Sequence, residues 1–153
     1  MSIDINVQYA IDIPGLPTEN KIKQWVNTSL DSLADNAELT LRIVDEKEGE
    51  FLNEKWRKSS GPTNVLSFSY NDDNSGSVLH GDIVICAPVI AREAVEQNKP
   101  LNAHWAHMVI HGVLHLLGYD HIDSKDTEKM EALEIKILHK LGIPDPYISV
   151  DEK

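Results

Sequence analysis

Residues 103–121 read AHWAHMVIHGVLHLLGYDH and hold five of the chain's seven histidines. The run is apolar between its histidines and ends on glycine, the pattern of a buried helix with a left-handed stop at Gly118. His111 and His115 stand four apart, one helical turn plus about 40° with roughly 6 Å of rise, so both imidazoles leave one face. Two neutral imidazoles so placed bind one transition metal, usually zinc, at about 2.0–2.1 Å each. Glycine carries no Cβ penalty in the left-handed conformation, so beyond Gly118 the chain can swing back and offer His121 as a third ligand. Three nitrogen ligands leave a tetrahedral ion one open position. That is the catalytic pattern, because structural zinc sites close all four positions and usually use cysteine. Histidines that merely pack on a half-buried helix would account for the pair, but not for the glycine stop and the third imidazole.

The spacing His-x-x-x-His-x-x-Gly-x-x-His is similar to the long zinc motif of the metzincin proteases. Here the residue after the first histidine is Gly112, where those proteases carry the glutamate that acts as general base. A peptidase built this way lacks its proton acceptor. The motif therefore points to a metal hydrolase and away from ordinary peptide cleavage.

The remaining composition bounds the chemistry. At 153 residues the chain suits a single domain, 1–153, long enough to bury roughly two-thirds of its unfolded surface. The lone cysteine, Cys86, excludes an internal disulfide, fits a reducing compartment, and reads as a small buried hydrophobe without a basic neighbour. The N-terminal residues show no export signal, and no run approaches the ~20 apolar residues of a membrane span. The expected location is cytoplasmic. Fourteen Lys and Arg against 25 Asp and Glu give a net charge of −11, the wrong sign for general attraction to phosphate. Any nucleic-acid contact must be local; Lys55, Arg57 and Lys58 form a short basic cluster, otherwise read as a solvated helix face. The acid-rich segments Asp45–Glu54 and Asp120–Glu134 read as exposed helix faces.

Outward from the histidine helix the chain alternates element types. Residues 3–11 have period two and predict a half-buried strand. After Pro14, Gly15 and Pro17, Thr18 reads as a cap, with Ile22, Trp25, Val26, Leu30 and Leu33 as a core-facing helical stripe. A second strand is expected over Leu39–Val44, a short amphipathic helix over Asp45–Lys58, and a third strand over Val65–Tyr70. Gly81–Cys86 predicts a fourth, whose unbroken Ile83-Val84-Ile85 implies burial on both faces. Pro88 opens a helix to Asn98. The last helix runs from Ser124 to Leu141 with Met130, Leu133, Ile137, Leu138 and Leu141 inward, and the tail from Asp145 reads as loosely held. This order predicts an α+β domain: a four-stranded mixed sheet, helices covering one face, and the metal-binding helix central.

Three segments together carry a family resemblance. They are His111-Gly112-x-Leu114-His115-Leu116-x-Gly118-Tyr119-Asp120-His121, the strand GDIVIC at 81–86, and Arg57 ahead of Pro62-Thr63-Asn64-Val65-Leu66-Ser67-Phe68. With Met130-Glu131-x-Leu133-Glu134 in the last helix, the chain resembles the YbeY family of bacterial endoribonucleases over essentially its whole length. The resemblance implies a zincin-like α+β domain with one zinc ion per chain on His111, His115 and His121. It implies a single-strand-specific, metal-dependent RNase acting in maturation of small-subunit ribosomal RNA, notably at its 3′ end, and in ribosome quality control. The implied partners are single-stranded and ribosomal RNA and the small ribosomal subunit or its factors. The family's functional arginine falls at Arg57. Where many members have Thr-Asp-Val-Leu-Ser-Phe, this chain has Asn64 in place of the aspartate.

The expected chemistry is phosphodiester hydrolysis by metal-activated water, which needs no separate strong base and so tolerates Gly112. Arg57 would pair with a non-bridging phosphate oxygen and stabilise developing charge. Asp120 either orients an imidazole or caps the turn. His107, one turn before His111, reads as a packed core histidine ahead of a spare ligand or substrate contact. Asp82, ahead of a buried strand, reads as a loop-holding residue with a catalytic role as the unsupported alternative, and His80 and His139 carry no functional signal. Two competing readings are a zinc peptidase or amidase, and a non-catalytic ribosome-associated factor with a structural metal.

Overall fold

The alternating N-terminal segment forms β1 (Ser2–Tyr9), and Thr18 caps α1 (Glu19–Leu30) by accepting the Lys21 backbone N–H at 3.2 Å. These elements come from a computed structural model. It describes residues 2–31, 33–34, 36–57, 64–69, 78–119 and 124–147, without the side chains of Ser2, Trp56, Arg57 and Ser124. Ile22, Trp25, Val26 and Leu30 form the buried stripe as expected. Leu33 does not join it: Asp31 leaves helical geometry at ψ 125°, and Leu33 lies beyond the helix end, 37% exposed.

Next come β2 (Asn36–Val44), α2 (Glu46–Arg57), β3 (Val65–Ser69) and β4 (Val78–Cys86). The sheet order is β1-β2-β4-β3; β1, β2 and β4 are parallel and β3 runs antiparallel at the edge. β4 begins three residues before the expected start at Gly81, so His80 belongs to the strand. Then follow α3 (Ala87–Glu96), α4 (Leu101–Leu116) and α5 (Ser124–Lys140). The result is the expected single α+β domain with a four-stranded mixed sheet.

Strand alternation divides the molecule. Odd-numbered residues such as Leu39, Leu41, Ile43, Ile83 and Ile85 join the main core with α1, α4 and α5. Even-numbered residues face the other way, where, among the described residues, α2 covers one end over Val44, Leu66, Val84 and Cys86. That placement explains why Ile83 to Cys86 are all buried. Arg42 fastens α2 to the sheet, donating to both Glu48 oxygens at 2.6 and 3.2 Å and to Gln8 at 3.0 Å. The other end of this face is polar, with Asp4, Asn6, Glu38, Thr40, His80 and Asp82 around a shallow hollow.

α4 is apolar on nearly all sides because it is packed on nearly all sides: it touches α1, α3, α5, β3 and β4. Gly112 permits its close approach to the sheet. A Cβ there would lie 3.0 Å from Ile83 Cγ2, and the Gly112 carbonyl accepts the Ser67 hydroxyl at 3.0 Å. The helix ends as its sequence predicts, with Gly118 at φ +102° and the Tyr119 N–H returning to the Leu114 carbonyl at 3.0 Å.

Candidate metal centre

The four histidines of α4 line one stripe of the helix. From His104 through His107 and His111 to His115, successive ring centroids stand 6.3, 6.4 and 4.6 Å apart, each pair edge to face. At the C-terminal end the Nε2 atoms of His111 and His115 face each other at 3.1 Å. Two nitrogens on adjacent corners of a tetrahedral zinc, at about 2.0–2.1 Å from it, would be about 3.3 Å apart. The helix therefore presents a nitrogen pair at nearly the separation that one shared ion requires. Both rings are partly exposed at the helix end, as an open coordination position needs.

His111 is fixed from behind. Its Nδ1–H donates to Glu134 Oε2 of α5 at 2.6 Å. Proton on Nδ1 leaves the Nε2 lone pair directed toward His115. The other carboxylate oxygen, Oε1, accepts from His107 Nε2–H at 2.9 Å and from the Tyr147 hydroxyl. Burial of Glu134 pushes its carboxyl up, but these donors outweigh that and hold it at about 2, so it stays ionised at neutral pH. Tyr147 is driven the opposite way, up, by burial and by its bond to Glu134.

One turn earlier, a second polar cluster joins α3, α4 and the segment before β3. His104 Nε2–H donates to Glu93 Oε1 at 2.9 Å, and Asn64 donates its amide to both Glu93 oxygens at 3.3 Å. Burial lowers the His104 pKa, against the opposing pull of Glu93. The cluster also gives Asn64 a role. An aspartate at 64 would set carboxylate against carboxylate, so a chain with Glu93 here is served by an amide.

Of the expected ligands, the structure brings His111 and His115 together. His121 and its neighbour Asp120 lie outside the described residues, as does Lys58. The backbone of Arg57 ends α2, and its side chain too lies outside the described residues. Among the described residues, no group of three His, Cys, Asp or Glu is placed to hold a metal. Asp82 lies on the sheet face opposite α4, by strand alternation, which removes it from the imidazole pair. His80 shares that face, 3.6 Å from Glu38. His107 is buried, as a packed histidine would be, but it serves the site through Glu134. Lys55 lies over the exposed Phe51 ring at 5.7 Å, on a solvated face. Cys86 is buried and its thiol pushed up by burial, matching the expectation of an inert hydrophobe.

Two participants escape the sequence reading. Glu134 sits in the acid-rich segment taken for an exposed face, yet it is fully buried. Its signal was present: it falls on the same helical stripe as Met130, Ile137 and Leu138, and a carboxylate on an apolar stripe needs a partner. Tyr147 lies in the tail expected to be loose, where no spacing announces a tertiary contact.

The profile of the family described as Endoribonuclease YbeY matches residues 5–142. The chain belongs to that family. Membership supports an endoribonuclease role in ribosomal RNA processing, with RNA as the substrate. The solution structure of TM1509 from Thermotoga maritima has the same fold: TM-score 0.57 at 22% identity, over 97% of this chain and 99% of that one. Among the described residues, no helix is long and apolar enough to cross a membrane.

Proposed function

We propose that this chain is a zinc-dependent endoribonuclease that cuts single-stranded RNA in the cytoplasm. It would mature the 3′ end of small-subunit ribosomal RNA and act in ribosome quality control, in contact with the small subunit or its factors. The observation that carries the metal assignment is the His111–His115 nitrogen pair at 3.1 Å, with the far side of His111 tied to a buried carboxylate. One zinc ion per chain would be held by His111, His115 and His121 within the single domain 1–153. Bound there, zinc would supply Lewis acidity to water and to a phosphoryl oxygen, which makes a separate strong base unnecessary.

The protein's own residues divide the remaining work. His111 and His115 present lone pairs from one helix face, and Glu134 keeps the Nδ1 proton on His111. Arg57 would pair with a non-bridging phosphate oxygen and stabilise charge as it develops. Gly112 keeps the helix close to the sheet, and a protease-like glutamate there would crowd Ile83, 3.0 Å from where its Cβ would stand. That contact counts against the peptidase reading.

The test is purified protein with single-stranded RNA, with and without chelator, beside His115→Ala. Cleavage that survives chelation, or that persists in the variant, would sink the proposal; casein cleavage without RNA cleavage would favour a peptidase. Arg57→Ala should lower kcat by about 10²–10³-fold with metal content unchanged. Loss of metal in that variant would mean the role given to Arg57 is wrong.

A further inference from the structure

Glu134 is the only carboxylate among the fully buried polar residues described, and its partners His107, His111 and Tyr147 gather it against the imidazole stripe. A bond that merely joined α4 to α5 would not need donors at both carboxylate oxygens, His111 at Oε2 and His107 with Tyr147 at Oε1. An uncompensated buried carboxylate is costly, and apolar side chains of the same volume would pack these helices as well. The arrangement instead suits the neighbouring nitrogen. A neutral imidazole carries one proton, and an acceptor at Nδ1 decides that Nε2 is bare. A set of three imidazoles also has no charge of its own to set against a divalent ion. Glu134 is one ring away from that position.

We propose that Glu134 is a positioning residue: through its bond to Nδ1 it holds His111 in the tautomer whose Nε2 faces His115, and it lends the site its negative charge. His107 and Tyr147 fix the carboxylate by occupying Oε1, so the segment carrying Tyr147 is part of the centre's support. This inference rests on the reading of the imidazole pair as a metal site.

The decisive measurement is made first on metal-free protein. Long-range ¹H–¹⁵N correlation of the histidine side chains should show His111 protonated at Nδ1 in the wild type. Glu134→Gln keeps an acceptor and should preserve that tautomer, whereas Glu134→Ala should move the proton toward Nε2. Competition with a chromophoric zinc chelator should then show Glu134→Gln binding zinc about tenfold or more weakly, because the charge is lost while the acceptor remains. Tyr147 is 44% exposed as a residue and lies outside the apolar core, so Tyr147→Phe tests the support without disturbing that core; it should weaken zinc binding in the same direction. Wild-type His111 protonated at Nε2, or Glu134→Gln and Tyr147→Phe both binding zinc within twofold of wild type, would overturn the proposal. A wild-type protein that binds no zinc would overturn the metal assignment instead. The tautomer data, taken without metal, would still decide whether Glu134 sets the ring.

Discussion

At the level of single residues, the polar side chains of α4 are decided by which nitrogen faces which carboxylate. His104 is buried and donates Nε2–H to Glu93, while its Nδ1 has no partner among the described residues. Protonation would add a buried donor at Nδ1 with nothing to receive it. Glu93 favours the charged ring, His107 and Lys99 oppose it, and burial is the largest influence, so the folded pKa lies below the ordinary ~6.5. The unfolded chain therefore takes up the proton first. The stability held by neutral His104 is complete above about pH 6.5 and drains away as pH falls toward the folded value. Urea midpoints between about pH 7.5 and 5.5 should fall less steeply for His104→Gln than for wild type; parallel lines would contradict this. Asn64→Asp should destabilise the protein by about 1–3 kcal/mol at pH 7, since a donor to Glu93 becomes a second negative charge. The like-charge pair raises a folded carboxyl pKa, so the deficit should shrink as pH drops toward 4. Equal deficits at both pH values would show that the carboxylates do not face one another.

Among the elements, the contact between α4 and the sheet controls the site. Leucines and valines make the helix apolar, but Gly112 sets how closely it lies on β3 and β4, and the Ser67 hydroxyl fixes its carbonyl. Gly112→Glu would place the protease-like base into Ile83 and bury a charge. It should cost about 3 kcal/mol or more and give no peptidase activity. A folded, casein-cleaving variant would refute that packing. The helix stop at Gly118 is equally local in origin, since its φ of +102° is open to glycine without strain. By contrast α5 contributes Glu134 from a stripe that looks apolar except at that position.

For the molecule as a whole, the main apolar core is built without His111 and His115. Ile22, Trp25, Leu41, Ile85, Trp105, Ile110 and Leu114 are buried in one cluster, while His111 and His115 sit at its margin. Chelation should therefore abolish RNA cleavage but leave the helix and strand signal in circular dichroism intact. Tm should fall by roughly 10 °C if zinc is present at about a thousand times its Kd. Loss of secondary structure on chelation would identify the metal as structural and favour the non-catalytic reading. At a net charge of −11 the general field repels phosphate, so a hold on RNA has to come from local contacts.

Periodicity was enough to read every helix and strand to within a few residues, because each is short-range: alternation for β1, a capped 3.6-residue stripe for α1, glycine stops for α4 and α5. The placement of His111 and His115 on one face followed from the same period. Leu33 was misjudged because its stripe continues in sequence after the helix has ended. What sequence could not supply is anything set by two segments meeting. The bond from Glu134 to His111 joins residues 23 apart, and Tyr147 reaches His107 across 40. The Asn64–Glu93 pair joins the segment before β3 to α3, and the removal of Asp82 from the site depends on which sheet face α4 covers. Local chemistry chose the candidate ligands; only the packing of α5 and the C-terminal segment against α4 decided which nitrogen of His111 faces His115.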